Sequence, residues 1–274
     1  MSKMYINQSM IKDLIKYQKG QFCGLLFMNK WILHQYGKGT KSNNLGHYFE
    51  WLCTGALAKG ETDAPKPEVT KKGDLSSDFQ VAKQQSEYFH TLKSKYGFQL
   101  VSSGRKIIAD DQWIGTLDIE ASWKSVFEQY SHLKSEKNPN HIVIIDLKYS
   151  GLLDDKWSEF GWNTEMLPRK QGTMLQAKHY KFLFWKEYGF NPPFFFFVFD
   201  SKEVGRAKII YVDIDEYELM AHERFLQKAK IYLEQQLEIG FKPLPEYETC
   251  IKCAYNQWCT FKEDVPRIIN VKPE

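Results

Sequence analysis

Apolar residues recur along this chain at two spacings, and the alternation between them orders its elements. Met10, Ile11, Leu14, Ile15 and Tyr17 share one helical face behind Ser9, which is placed as an N-cap, and Gly20 is placed to end that helix. Further helices are predicted over residues 27–34, 45–57 and 78–96. Between the last two, residues 59–75 shift to Gly, Pro, Lys, Asp and Thr, a composition that buries little surface. This stretch reads as a mobile loop, either a solvated spacer or a lid that guides a substrate. Strand patterns follow at 99–103 and 113–121, then a β-branched run at 141–149 that suits a central strand buried on both faces. Helical spacing returns at 172–188, strands at 193–200 and 207–214, and a long amphipathic helix at 215–240 that Gly240 and Pro243 end. Helices, then strands, a helix, two strands and a helix predict an α/β protein with a mixed central sheet flanked by helices. Neither an internal repeat nor a low-complexity tract interrupts the order.

Composition fits that picture. Apolar residues make up 43% of the 274 positions and aromatics 15%, enough for a sizeable core, and 26% charged residues argue against a disordered chain. A single domain over 1–274 is expected, with an N-terminal helical part (1–58), a core (97–214) and a C-terminal segment (241–274). No apolar run approaches the roughly 20 residues that span a bilayer, and residues 1–19 lack the apolar stretch of a signal peptide. The expectation is a cytoplasmic protein without a membrane partner. A net charge of +3 is weak evidence for a nucleic-acid partner, because a site rich in carboxylates would mask a basic groove in the sum.

The chemistry concentrates in two places. Asp146, Leu147 and Lys148 close the apolar strand, and strand alternation turns Asp146 and Lys148 to the same side. Asp118, after Gly115, lies on a strand that can pair beside it. Two carboxylates converging at a strand end make a hard oxygen site suited to Mg²⁺ or Mn²⁺, and a nearby lysine can orient or activate a metal-bound water. The same D-x-K letters also arise from a salt-bridged pair at a strand edge. His47 and Glu50 sit three apart on one helix, where His47 would complete a metal shell or form a polar surface pair. Gln176 and Tyr180 sit four apart on another helix, suited to gripping phosphate or a base edge, or to an ordinary interface.

The second place is the cysteines. Of five, Cys250, Cys253 and Cys259 crowd into ten residues, with Cys23 far upstream. In a chain with no export signal this reads as ligation of a metal or cluster rather than a disulfide framework. Thiolates suit both a [4Fe-4S] cluster and tetrahedral Zn²⁺, but zinc sites more often use two tight pairs, so a single remote partner favours the cluster. Cys53, among Phe49, Trp51 and Leu52, reads as a buried free thiol.

Gly46-His47 with Glu50, Gly115 to Asp118, Asp146-Leu147-Lys148 and Gln176 to Tyr180, in this order, resemble the RecB-type PD-(D/E)XK nucleases. With the cysteines, the pattern is similar to the iron–sulfur subset that includes the AddB nuclease domain and the accessory nucleases of CRISPR adaptation. The resemblance implies a restriction-endonuclease-like fold whose N- and C-terminal segments are joined by a cluster on Cys23, Cys250, Cys253 and Cys259. It further implies a metal held by His47, Asp118, Asp146 and the backbone carbonyl of Leu147, with Lys148 serving the attacking water. Gln176, Tyr180 and Glu50 would contact DNA or support that centre. Glu120, two residues beyond Asp118, reads as a salt-bridged strand carboxylate or a contact to a second ion. Trp113 and the tryptophans at 157–162 are open either to base stacking or to the core. The implied activity is Mg²⁺- or Mn²⁺-dependent hydrolysis of DNA, as an exonuclease acting on single strands or ends, in repair and recombination, CRISPR adaptation or phage DNA processing. The readings from other classes are a non-catalytic DNA-binding or assembly module and a zinc-stabilised structural protein.

Overall fold

The computed structural model describes residues 4–35, 41–57, 62–151, 153 and 167–244, with backbone alone for 167–173, together with Cys250, Cys253 and Cys259. The chain forms two compact units, Met1–Gln8 with Thr40–Glu223 and Ser9–Gly39 with Arg224–Glu274. No described helix is long and apolar enough to cross a membrane.

The larger unit contains a mixed sheet that, among the described residues, has six strands: β1 (Ile6–Asn7), β2 (Gln99–Ala109), β3 (Trp113–Ser122), β4 (Ile142–Ser150), β5 (Phe194–Asp200) and β6 (Ala207–Val212). Their order is β1-β3-β4-β5-β6, with β2 paired along β3. The β2–β3 hairpin turns on Asp110 and Asp111, both at positive φ, with Gln112 N–H donating to Ala109 O at 3.1 Å, the geometry of a type I′ turn. β2 runs six residues past its predicted end, because Arg105 and Lys106 break the apolar alternation while the backbone stays paired with Leu117 and Thr116. β4 and β5 are parallel, joined through helix α6 (Leu167–Tyr188), whereas β3–β4 and β5–β6 are antiparallel.

β5 explains its own sequence. It is buried along its whole length, so a run of Phe with one Val replaces alternation. Phe195, Phe197 and Phe199 enter a core shared with Phe49, Phe89, Phe98 and Trp123. Helices α3 (Lys41–Thr54) and α4 (Ser77–Tyr96) supply this layer, and the short α5 (Lys124–Gln129), which the periodicity did not reveal, adds Val126 and Phe127. Trp113 is fully buried, which makes it a core residue rather than a platform for bases. Trp157 and Trp162 lie outside the described residues. The predicted loop is described from residue 62 onward and includes a bridge between Val69 and Leu75.

In the smaller unit, α1 (Gln8–Gln18) buries Met10, Ile11 and Leu14, and α2 (Gly24–Phe27) runs on into a π-helical turn at Met28–Ile32. The long helix α7 (Glu216–Ile239) begins in the larger unit and ends in this one. Phe27 stacks on Phe241 with ring centroids 4.6 Å apart, and Gly24 N–H donates to Lys242 O at 3.0 Å. A Cβ at Gly24 would collide with that carbonyl, so the close approach of the two segments requires glycine.

One buried side chain holds the β5–β6 turn. Gln85 on α4 is fully buried; its Nε2 donates to Asp200 O and Glu203 O, both at 2.7 Å, and its Oε1 accepts from Gly205 N–H at 3.1 Å. Gln85→Met keeps the volume but removes these bonds, and urea denaturation is expected to show a loss of about 1–3 kcal/mol.

Candidate active site

The ladder between β3 and β4 ends at the pair Ile119–Ile145, while β4 stays paired with β5 as far as Ser150 and Asp200. The next residue on each diverging strand is an aspartate, Asp118 and Asp146. At this fork Leu147 N–H donates to Asp118 Oδ2 at 2.8 Å, so a side chain takes up a backbone donor beyond the end of the ladder.

Asp146 forms the floor of the site. Its side chain is 1% exposed; Oδ1 accepts from Gln176 Nε2 of α6 at 2.7 Å, and Oδ2 is ion-paired with Lys148 Nζ. Asp118, Glu50, Lys148 and Gln176 are half-buried, so the group opens to solvent at its rim. Glu50 comes from α3, which is fixed against β4 by Phe49 stacking on Tyr149 at 4.9 Å and meeting Phe199 at 5.0 Å. Tyr180 reaches the same place from α6 and bonds Gln176. Its ring lies where a side chain on Gly115 would be: an added Cβ would stand 3.0 Å from Tyr180 Cε1 and 2.6 Å from Leu183 Cδ1. The glycine before Asp118 therefore lets α6 come down onto β3.

Three carboxylates so close affect one another. Burial, then Asp146 and Glu50, push the Asp118 carboxyl well above the usual range, against the opposing pull of Lys148 and the Leu147 N–H. Glu50 is raised by burial and then by Asp146. Burial also lifts Asp146, partly offset by Lys148 and Gln176. For Lys148 burial works against the charge, but Asp146, Asp118 and Glu50 outweigh it and the ammonium is held more tightly than usual. Tyr180 is raised by burial and by the two aspartates, which keeps its phenol protonated.

Among the described residues no three His, Cys, Asp or Glu side chains are drawn together tightly enough to hold a metal ion. The donor set is nonetheless hard oxygen, and a cation placed among Asp118, Asp146 and Glu50 would relieve the repulsion that raises them. Glu50, rather than His47, is the α3 side chain beside the carboxylates. His47 is exposed and lines a cleft of about 410 Å³ with Asn44, Thr62, Asp63 and Lys66. Its position three residues before Glu50 gave adjacency on the helix but not the direction in which each residue faces. Glu120 accepts from Ser102 Oγ and Arg105 Nη1, both at 3.0 Å, a salt-bridged strand carboxylate. Arg105 was missed as its partner because the predicted β2 stopped short of it.

The four expected ligand cysteines all belong to the smaller unit and are half-buried, none of them in a disulfide. Cys23 Sγ accepts from Leu244 N–H at 3.4 Å, beside the segment that leads to Cys250, and Cys253 N–H donates to Cys250 O at 3.2 Å. Cys53 is 3% exposed in the core, its thiol raised well above normal by burial and then by Glu50, as befits a structural residue.

Comparison with known proteins shows the fold. No protein-family model and no curated protein matches the chain. A crystal structure of a protein from Eubacterium rectale, provisionally assigned as an exonuclease, is similar at a TM-score of 0.60 and 18% identity, over 99% of this chain and 91% of that one. The chain thus shares its fold with that protein along nearly the full length of both. The structure of SSO0001 aligns at a TM-score of 0.35 and 12% identity, over 96% of this chain and 88% of that one, too distant to carry an argument.

The raised carboxyls set a pH dependence. A carboxyl whose folded pKa lies above its unfolded value binds more protons when folded, so it destabilises the fold progressively as pH rises above the usual carboxylate range. Asp118→Asn keeps an acceptor for Leu147 N–H and removes the charge. In EDTA at neutral pH its melting temperature is expected to exceed that of the wild type by about 2–4 °C, the response to roughly 1 kcal/mol in a chain of this size. The gap should close as the pH falls toward 4.

Proposed function

We propose that this chain is a metal-dependent deoxyribonuclease of the PD-(D/E)XK type, working as an exonuclease on single strands or ends. The observation that carries the reading is the meeting of Asp118, Asp146, Glu50, Lys148 and Gln176 at a strand fork, in a chain whose fold matches that of the Eubacterium rectale protein. Asp118, Asp146 and Glu50, with the Leu147 carbonyl, would hold Mg²⁺ or Mn²⁺. Bound there, the ion would lower the pKa of a water and stabilise charge on the phosphate.

The protein's own groups do the positioning. Gln176 fixes the Asp146 carboxylate through Oδ1, and Leu147 N–H fixes Asp118, so both enter the reaction already oriented. Lys148 Nζ, the member of the group whose side chain is 24% exposed, donates to the water that attacks phosphorus and to the phosphate oxygen that gains charge. Tyr180 stays protonated and braces Gln176. In the smaller unit, Cys23, Cys250, Cys253 and Cys259 would ligate a [4Fe-4S] cluster or, failing that, zinc, in a structural rather than redox role.

Protein purified without oxygen should hydrolyse linear single-stranded DNA when Mg²⁺ or Mn²⁺ is added. Asp146→Ala should abolish cleavage and Lys148→Ala should slow it roughly 10²–10⁴-fold. Equal cleavage by wild type and Asp146→Ala, or none on single- or double-stranded, linear or circular DNA, removes the basis of the reading. For the second site, Cys253→Ala should lose iron and visible absorption while Cys53→Ala retains both; a Cys253→Ala protein with full iron refutes the ligand set.

A further inference from the structure

The larger unit has a second cavity, of about 380 Å³, walled by aromatic rings. Tyr96, Trp123, Tyr130, Phe195 and Tyr211 line it. Trp123 stands five residues beyond Asp118, about 16 Å along an extended strand. Phe195 faces the cavity, while its neighbour Phe196, in register with Asp146 and with Lys148 Nζ 5.8 Å from its ring centroid, faces the other way. The cavity is therefore not an extension of the carboxylate group.

We propose that this cavity binds a nucleobase of single-stranded DNA, apart from the point of cleavage. Choosing DNA as the strand rests on the nuclease reading; the cavity's own features choose a base. Its walls are preformed: the Trp123 indole N–H donates to Tyr96 O and Ser125 Oγ, both at 3.1 Å, and Ser125 Oγ donates to Tyr96 O at 2.8 Å. Trp123 and Phe195 lie 5.0 Å apart at 51°, and Phe195 and Tyr211 5.3 Å apart at 42°. Tilted walls of this kind make a cup for one flat ring system, not a slot for an extended chain. The volume falls in the lower part of the usual range for small-ligand sites.

Polar groups at the rim suit a base edge. Gln129, whose Nε2 donates to the Tyr130 hydroxyl at 3.3 Å, carries an amide of the type that pairs with adenine, and Ser125 adds a hydroxyl. The flanking sequence supplies charge for a phosphate backbone: Lys93, Lys95, Lys124, Lys134 and Lys137 stand against Glu128 and Glu136 in residues 93–97 and 123–137. The Lys95 ammonium lies 5.5 Å from the centre of the Tyr96 ring. Stacking on aromatics beside basic side chains is the common mode of single-strand binding.

Tyr130 is 45% exposed, so it can be truncated without opening the core. Fluorescence anisotropy of short labelled oligo(dT) and oligo(dA), in EDTA so that nothing is cut, is expected to show Tyr130→Ala weakening binding about tenfold. Tyr130→Phe, which keeps the ring, should bind like the wild type. An abasic strand of equal length should bind weakly and equally to all three. Unchanged binding by Tyr130→Ala, or abasic and base-bearing strands bound alike, overturns the proposal. The two readings fail separately. A protein that binds oligo(dT) through Tyr130 but never cleaves loses the nuclease reading alone, and a nuclease indifferent to Tyr130→Ala loses this one alone.

Discussion

The ion pair between Asp146 and Lys148 is the constraint around which the larger unit is arranged. A carboxylate that is 1% exposed in a sheet is tolerated only with a cation and hydrogen-bond donors around it, and removing one partner of such a pair typically costs about 3–5 kcal/mol. The neighbouring elements are placed to meet that demand. α6 brings Gln176 to the second oxygen, and it can do so because Gly115 offers no side chain to hold Tyr180 and Leu183 away. α3 brings a further carboxylate, Glu50, which raises the demand instead of meeting it. An excess of acid around one lysine is a poor arrangement for stability and a good one for drawing in a divalent cation.

What makes the arrangement possible is the topology behind it. β4 is antiparallel to β3 on one side and parallel to β5 on the other, and it leaves β3 at Ile145 while following β5 to its end. Where neighbouring strands part, backbone groups lose ladder partners and a crevice opens at the carboxyl end of the parallel pair, the place where α/β sheets usually bind ligands. The phenylalanines of β5 stay paired with β4 on its far side, so the strand can carry Asp146, Leu147 and Lys148 past the end of the β3 ladder without losing its anchor. The apolar core and the charged site thus depend on the same strand.

Much of this was legible in the sequence, for reasons that can be named. Period-two alternation put Asp146 and Lys148 on one side, and the pair is formed; the β-branched run that marked a central strand is central. Local spacing was silent on three points. It could not say that α3 turns Glu50 rather than His47 toward the aspartates, because that depends on Phe49 packing against Tyr149. It could not follow β2 past Gly104, because Arg105 and Lys106 look like loop residues until Glu120 and Glu187 are found as partners of Arg105. It gave no reason for Gly115 beyond motif membership, since the need for a missing side chain is visible only once α6 lies on β3. In each case the information resides in contacts between distant segments, which periodicity does not encode.

The two groups of candidate ligands are built by opposite means, and the difference bears on what each would do with a metal. In the larger unit the acids are pre-oriented by Leu147 N–H and Gln176 but repel one another, so their geometry is stored at the expense of stability. In the smaller unit the thiols are soft, half-buried and uncharged when protonated, and the approach of Cys23 to the segment at 241–244 is maintained by other contacts. Those are the Gly24–Lys242 backbone bond, the Phe27–Phe241 stack and the Tyr17 hydroxyl, which accepts from Lys242 N–H at 3.0 Å. Small metal modules that lack such packing fold only when loaded. Here the packing brings Cys23 to the segment ahead of Cys250 before any ligation, so a cluster would lock an approach that already exists. Its contribution would then be to hold the segment carrying Cys250, Cys253 and Cys259 in place, which is a structural role and needs no change of oxidation state.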